Sequence, residues 1–149
     1  MIEAIKFALR YDPSPNPRVG AVLVDKNNKI KKITAHKEKD KDHAEFNLFK
    51  NSDISKNDTL YVTLEPCFHD DTSPSCALAV LETKLQNIVV GDIDRDERTN
   101  GKAIELLKKQ NLNVSTENGV NDFLNPGYKV KNDKPYLIGK VATSADHII

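Results

Sequence analysis

Ile2, Ile5, Ala8 and Leu9 recur at helical spacing, which predicts an amphipathic helix ending before Asp12-Pro13-Ser14-Pro15. Val19 to Val24 reads as a strand, Asp25-Lys26-Asn27-Asn28 as a turn and Ile30 to Ala35 as a second strand, together a hairpin. His43 to Lys50 carries apolar residues at Ala44, Phe46, Leu48 and Phe49 and predicts a helix. Thr59 to Leu64 is nearly continuous in apolar residues, the mark of a strand covered on both faces. A helix from Pro74 to Leu85, a strand from Ile88 to Gly91, a helix from Gly101 to Gln110 and a strand from Leu112 to Val114 follow. Strands alternating with helices imply parallel crossovers after the antiparallel hairpin. The expected fold class is α/β: a three-layer α/β/α domain with a mixed sheet of about five strands.

A chain of 149 residues suits one domain with a substantial core. Lys plus Arg balance Asp plus Glu at 22 each, so no global field points to nucleic acid or to an anionic membrane. With Phe 5, Tyr 4 and Trp 0, no stacking surface for a polynucleotide is evident either. No apolar run reaches the roughly 20 residues of a membrane span. Met1-Ile2-Glu3-Ala4-Ile5 lacks the pattern of a secretory signal. A cytoplasmic protein with no nucleic-acid and no membrane partner is expected. Asn125-Pro126-Gly127 through Asn132-Asp133 is linker-like, and Pro135 to Thr143 reads as a strand that opens something new. The expected division is a domain over residues 1–133 and a tail over 134–149. The apolar edge of that tail strand invites pairing with another chain, so a homo-oligomer is expected.

Candidate chemistry is concentrated in His43-Ala44-Glu45, Pro66-Cys67 and Cys76. One imidazole and two thiolates can fill three positions of a tetrahedral Zn²⁺ and leave the fourth for water, as in a catalytic site. Glu45, which such a site does not need as a ligand, is then free to move protons. His43 opens a helix, so its ring and the Glu45 carboxyl can share a site at the first turn, although residues two apart do not otherwise face each other. Cys67 ends a strand and Cys76 opens the next helix, where thiolates are favoured. The alternatives are a Cys67–Cys76 disulfide, disfavoured by compartment, and a structural zinc site completed by His69.

His-x-Glu followed by Pro-Cys resembles the signature of the zinc nucleobase deaminases, with eight residues between the cysteines in place of two. Ser14-Pro15-Asn16-Pro17-Arg18-Val19-Gly20-Ala21-Val22, then His36 seven residues before His43, then Thr63-Leu64-Glu65-Pro66-Cys67-Phe68-His69, carry the resemblance further. Together with the eight-residue gap, they resemble the deaminase domain of the bifunctional riboflavin-biosynthesis deaminase–reductases, within the cytidine-deaminase-like superfamily. The resemblance implies hydrolytic removal of an amine from a diaminopyrimidinone ribotide, a small nucleotide-like substrate. It implies that His43, Cys67 and Cys76 hold Zn²⁺, that Glu45 shuttles protons and that Asn16, His36 and His69 bind substrate. The tail resembles the opening strand of the family's reductase domain, and no NADPH-dependent reduction is expected from residues 1–149.

Two departures fall on substrate recognition. The segment Asp70-Asp71-Thr72-Ser73-Pro74-Ser75 has Thr72 where the resemblance implies a cation for the substrate phosphate. Asp92-Ile93-Asp94-Arg95 has a carboxylate at Asp94 where an amide is implied, with Arg95 or Arg98 as substitute phosphate contacts. The readings beside the ribotide deaminase are a deaminase of another base, nucleoside or nucleotide, and a non-catalytic zinc-binding relic.

Overall fold

The computed structural model describes residues 1–69, 74–126 and 128. In chain order the elements are α1 (Ile2–Ala8), β1 (Gly20–Val24), β2 (Ile30–Ala35), α2 (Ala44–Phe49), β3 (Thr59–Val62), α3 (Cys76–Leu81), β4 (Asn87–Val90), α4 (Lys102–Lys109), β5 (Asn113–Thr116) and α5 (Val120–Leu124). The strands form one mixed sheet in the order β2-β1-β3-β4-β5. β1 pairs antiparallel with both β2 and β3, setting Ala21 opposite Thr34 and Val62, whereas β3, β4 and β5 run parallel. The expected α/β class and five-stranded mixed sheet are what the chain forms.

Strand alternation sorts the core into two layers. Ala21, Leu23, Leu60, Val62, Ile88 and Val90 face α2, α3 and α4, which contribute Ala44, Leu48, Val80, Ile104 and Leu107. Val22 and Val24 face the opposite side and pack with Ala4 of α1. Ala8 of α1 then meets Val120 and Leu124 of α5. α1 lies so close to β1 that a Cβ on Gly20 would stand 2.1 Å from the Ala4 carbonyl oxygen. Only glycine permits that approach.

Several boundaries differ from the sequence expectation. The third helix is confined to Cys76–Leu81. The Ser75 hydroxyl caps its start by accepting from the Leu78 N–H, and the Thr83 hydroxyl ends it by donating to the Val80 carbonyl at 2.6 Å. β3 stops at Val62, and of its residues Leu60 and Val62 are buried while Thr59 and Tyr61 are only partly covered. α5 was not expected. It starts after Gly119, at φ 84°, on apolar residues spaced three and four apart. The start of the linker-like stretch is instead part of the domain: Asn125 accepts the Arg18 N–H at 2.7 Å and donates to the Arg18 carbonyl at 3.1 Å. The remainder of the tail expectation, residues 134–149, lies outside the described residues.

Candidate metal centre

The carboxyl end of β3 meets the first turns of α2 and α3 at one end of the sheet, where open α/β folds gather ligands. His43 is the N-cap of α2 in extended conformation, with ψ 163°, which directs its ring away from the helix flank. Asn47 closes the first turn by donating to the His43 carbonyl at 3.1 Å. Cys67 is fixed against α3 by two backbone donors: the Cys76 N–H reaches its Sγ at 3.2 Å and the Ala77 N–H its carbonyl at 3.1 Å.

The donor atoms of His43, Cys67 and Cys76 all lie within 4.8 Å of one another and could hold a metal ion. His43 Nδ1 is 3.3 Å from Cys76 Sγ and 3.6 Å from Cys67 Sγ. Zinc bonds of about 2.0 Å to nitrogen and 2.3 Å to sulfur at tetrahedral angles place N and S about 3.5 Å apart. The observed separations bracket that value, so the donors fit zinc. Both cysteines are free thiols, which removes the disulfide alternative.

The charges suit a cation as well as the distances do. Hydrogen bonds from Cys76 and His43 hold the Cys67 thiol down at about 4, as a thiolate. Its bond to His43 lifts the imidazole to about 9, and the Cys67 contact together with burial pushes the Cys76 thiol up. Two thiols and an imidazole thus share protons where a metal would replace them. Glu45 is 3% exposed beside this cluster. Burial raises its carboxyl to about 7, against the opposing pull of His43.

A cavity of about 260 Å³ opens onto these groups, and the described residues lining it include Asn16, His36, His43, Glu45, Cys67 and His69. Six of the seven site residues expected from the sequence therefore line this cavity, and the seventh, Cys76, is fully buried with its Sγ in the donor cluster of His43 and Cys67. His36 Nδ1 lies 3.2 Å from the Asp42 carbonyl, which can only accept, so Nδ1 carries the proton. Nε2 then accepts from Asn16 Nδ2 at 3.2 Å, leaving Asn16 Oδ1 as an acceptor. Burial lowers the His36 pKa and keeps the ring neutral. Thr72 and its neighbours Asp70, Asp71 and Ser73 lie outside the described residues.

The sequence reading gave Glu65 no role. Its buried carboxylate accepts four backbone N–H groups: Asp94 at 3.1 Å, Gly101 at 2.8 Å, Ala103 at 3.1 Å and Ile104 at 3.2 Å. It satisfies the free donors at the start of α4 and ties the Asp92–Asp96 loop to the strand end that carries Cys67. A lone charge directly after an apolar strand was the available signal. Asp94, Asp96 and Arg98 line the cavity, whereas Arg95 does not and pairs with Asp122 at 2.5 Å. Arg98 bonds Asp96 through Nε at 3.0 Å and its terminal nitrogen at 2.6 Å, and this pairing holds the Asp96 carboxyl down at about 2.

A mixed α/β sheet bearing a His-Cys-Cys donor set and a buried carboxylate at its strand ends defines a zinc centre of hydrolytic type. Residues 1–92 match the family model of the cytidine and deoxycytidylate deaminase zinc-binding region. The diaminohydroxyphosphoribosylamino-pyrimidine deaminase of Buchnera aphidicola subsp. Schizaphis graminum is 34% identical over 117 residues, which cover 76% of this chain and 79% of that protein. Riboflavin biosynthesis protein RibD of Buchnera aphidicola subsp. Baizongia pistaciae is 31% identical over 98% of this chain, which spans 41% of the relative. Among solved structures, Acinetobacter baumannii RibD, form 2, superposes with a TM-score of 0.78 at 32% identity, covering 85% of this chain and 37% of that one. The chain belongs to the cytidine and deoxycytidylate deaminase zinc-binding family, in the branch of the diaminohydroxyphosphoribosylaminopyrimidine deaminases. Its cofactor is zinc.

Proposed function

We propose that the chain hydrolytically deaminates diaminohydroxyphosphoribosylaminopyrimidine, the ribotide named in its relatives, to the aminouracil ribotide and ammonia in riboflavin biosynthesis. The observation that carries the reading is the buried Glu45 carboxyl beside a three-donor zinc site: metal binding alone does not require it. His43, Cys67 and Cys76 hold the zinc. Bound there, zinc supplies a water acidified toward neutral pH at its fourth position. Glu45 would take the proton released as the water oxygen bonds to the amine-bearing carbon and pass it to the ring nitrogen, and it would then take the remaining hydroxyl proton from that carbon and deliver it to the departing amine. The carbon–nitrogen bond breaks, a carbonyl replaces the amine, and ammonia leaves. Positioned proton transfer of this kind contributes about 10²–10⁴-fold. Asn16 Oδ1, aimed by the neutral His36, accepts from the ring and sets its orientation, and His69 lines the same wall.

The proposal includes residues 1–133 as the deaminase domain, 134–149 as a tail whose sequence resembles the first strand of a reductase domain, a cytoplasmic location and a homo-oligomer. Among the described residues, no helix is long and apolar enough to cross a membrane. The test is ammonia release from the ribotide by zinc-loaded protein and by the same protein stripped with a chelator. Zinc-dependent release is expected; a folded, zinc-loaded sample that releases none defeats the reading.

A further inference from the structure

The two sulfurs of the donor cluster differ in access. Cys67 is half-buried and lines the cavity, whereas Cys76 is fully buried behind it. They are the only cysteines of the chain, and both are free thiols. The Cys76 N–H donates to Cys67 Sγ at 3.2 Å, so the backbone of one cysteine rests on the sulfur of the other. Counting one N–Cα bond beyond that contact, the Cys76 Cα stands within about 4.7 Å of Cys67 Sγ. The Ala77 N–H, bonded to the Cys67 carbonyl at 3.1 Å, keeps the two segments together. The sulfurs themselves lie within 4.8 Å, so they need to approach by no more than about 2.8 Å to bond, with the backbone already in place. An outer thiol that a small solute reaches first, with a shielded thiol against it, is the arrangement of an attacking and a resolving cysteine.

We propose that Cys67 is a site of reversible oxidation by hydrogen peroxide, resolved by Cys76 into an internal disulfide that excludes zinc. The inference rests on the metal donors and not on the identity of the substrate. The Cys67 sulfur attacks one peroxide oxygen, the O–O bond breaks, and a sulfenic acid forms as the departing hydroxide takes the thiol proton and leaves as water. The Cys76 sulfur then attacks the Cys67 sulfur, the S–O bond breaks, and the second hydroxide leaves as water with the Cys76 proton. Two thiols lose two electrons, and one hydrogen peroxide is reduced to two waters. A disulfide has no thiolate to offer a metal, so His43 alone remains of the three donors. Zinc, when bound, occupies both sulfurs and competes with the oxidant. Reduction of the disulfide restores the full set.

The test treats the full chain, zinc-loaded and chelator-stripped, with hydrogen peroxide and follows free thiols, bound zinc and intact mass. The stripped chain is expected to lose both thiols and the mass of two hydrogens, and its uptake of added zinc should fall from one per chain to below about a tenth of that. Dithiothreitol should then restore both thiols and the zinc. The zinc-loaded chain is expected to react more slowly and to release its zinc as the thiols disappear. Cys76→Ser should stop at the Cys67 sulfenic acid, trapped by dimedone, and Cys67→Ser should leave the buried Cys76 largely unlabelled. Two thiols that survive in the stripped chain, a gain of oxygen in place of the hydrogen loss, a bond between two chains, or equal rates with and without zinc would each overturn the proposal. If stripping unfolds the chain, as circular dichroism would show, the zinc-loaded protein decides. Zinc released together with both thiols into an internal disulfide supports the proposal there, and thiols inert to peroxide that oxidises free cysteine overturn it. None of these readouts measures ammonia, so an inactive deaminase and an inert cysteine pair are separate results.

Discussion

Glu65→Gln probes the joint between the metal-bearing strand end and the rest of the cavity. The substitution preserves shape, so it opens no cavity, and its effect isolates hydrogen bonding. One carboxylate oxygen serves Asp94 and Gly101, the other Ala103 and Ile104. Whichever way the new amide turns, its NH₂ faces two backbone donors, and two bonds become donor–donor contacts. At least one of the stranded donors is buried in either orientation. Leaving a buried donor unmet costs about 1–3 kcal/mol, and bonds to charged acceptors stand at the upper end, which gives a loss of about 3 kcal/mol. Against a total of about 5–15 kcal/mol for a domain, that is a large fraction. Urea unfolding of the zinc-loaded protein, followed by circular dichroism, measures it. A midpoint change equivalent to less than about 1 kcal/mol with an unchanged m-value would refute the reasoning, because the four contacts would then contribute no more than surface bonds.

Two further substitutions test the packing and the electrostatics. Gly20→Ala would put a methyl 2.1 Å from the Ala4 carbonyl oxygen, a backbone atom that cannot turn aside. It should cost about 3 kcal/mol in thermal or urea unfolding, by forcing α1 off the sheet, and a neutral result would show that the helix sits farther away. Asp96, held at about 2 in the folded chain against an ordinary 3.8, contributes stability that is present above pH 3.8 and lost as the pH falls toward 2. Asp96→Asn should therefore lower stability by about 1–2 kcal/mol at pH 7, discounting for the half-exposed Arg98, and the gap from wild type should close by about pH 2. A gap that persists unchanged at pH 2 would contradict the ion-pair account.

The elements and the metal donors were readable because each has a local signature. Apolar spacing marks α1, β1 and β4 within a residue or two, and His-x-Glu, Pro-Cys and a second cysteine mark donors by type. What stayed hidden depends on atoms brought together from far along the chain. Glu65 bonds residues up to 39 positions away, and no periodicity reports that. Asn125 looked like linker, yet its amide holds Arg18, 107 residues earlier. The early end of α3 turns on one hydroxyl, that of Thr83, against an apolar pattern that would otherwise continue to Leu85. Asp94 stood out in the sequence as a departure, but only the fold shows that it lines the cavity and that its Oδ1 accepts the Asp96 N–H.

The central claim is that three side chains hold zinc while Glu45, which holds none of it, carries the protons. Metal content and ammonia release from the ribotide, measured together on Glu45→Gln and Cys76→Ser, test it most directly. The account predicts that Glu45→Gln keeps one zinc per chain as wild type does and loses about 10²–10⁴-fold in kcat, whereas Cys76→Ser loses the zinc and the activity together. A Glu45→Gln protein that keeps both zinc and wild-type turnover, or a Cys76→Ser protein that keeps full zinc occupancy, would contradict it.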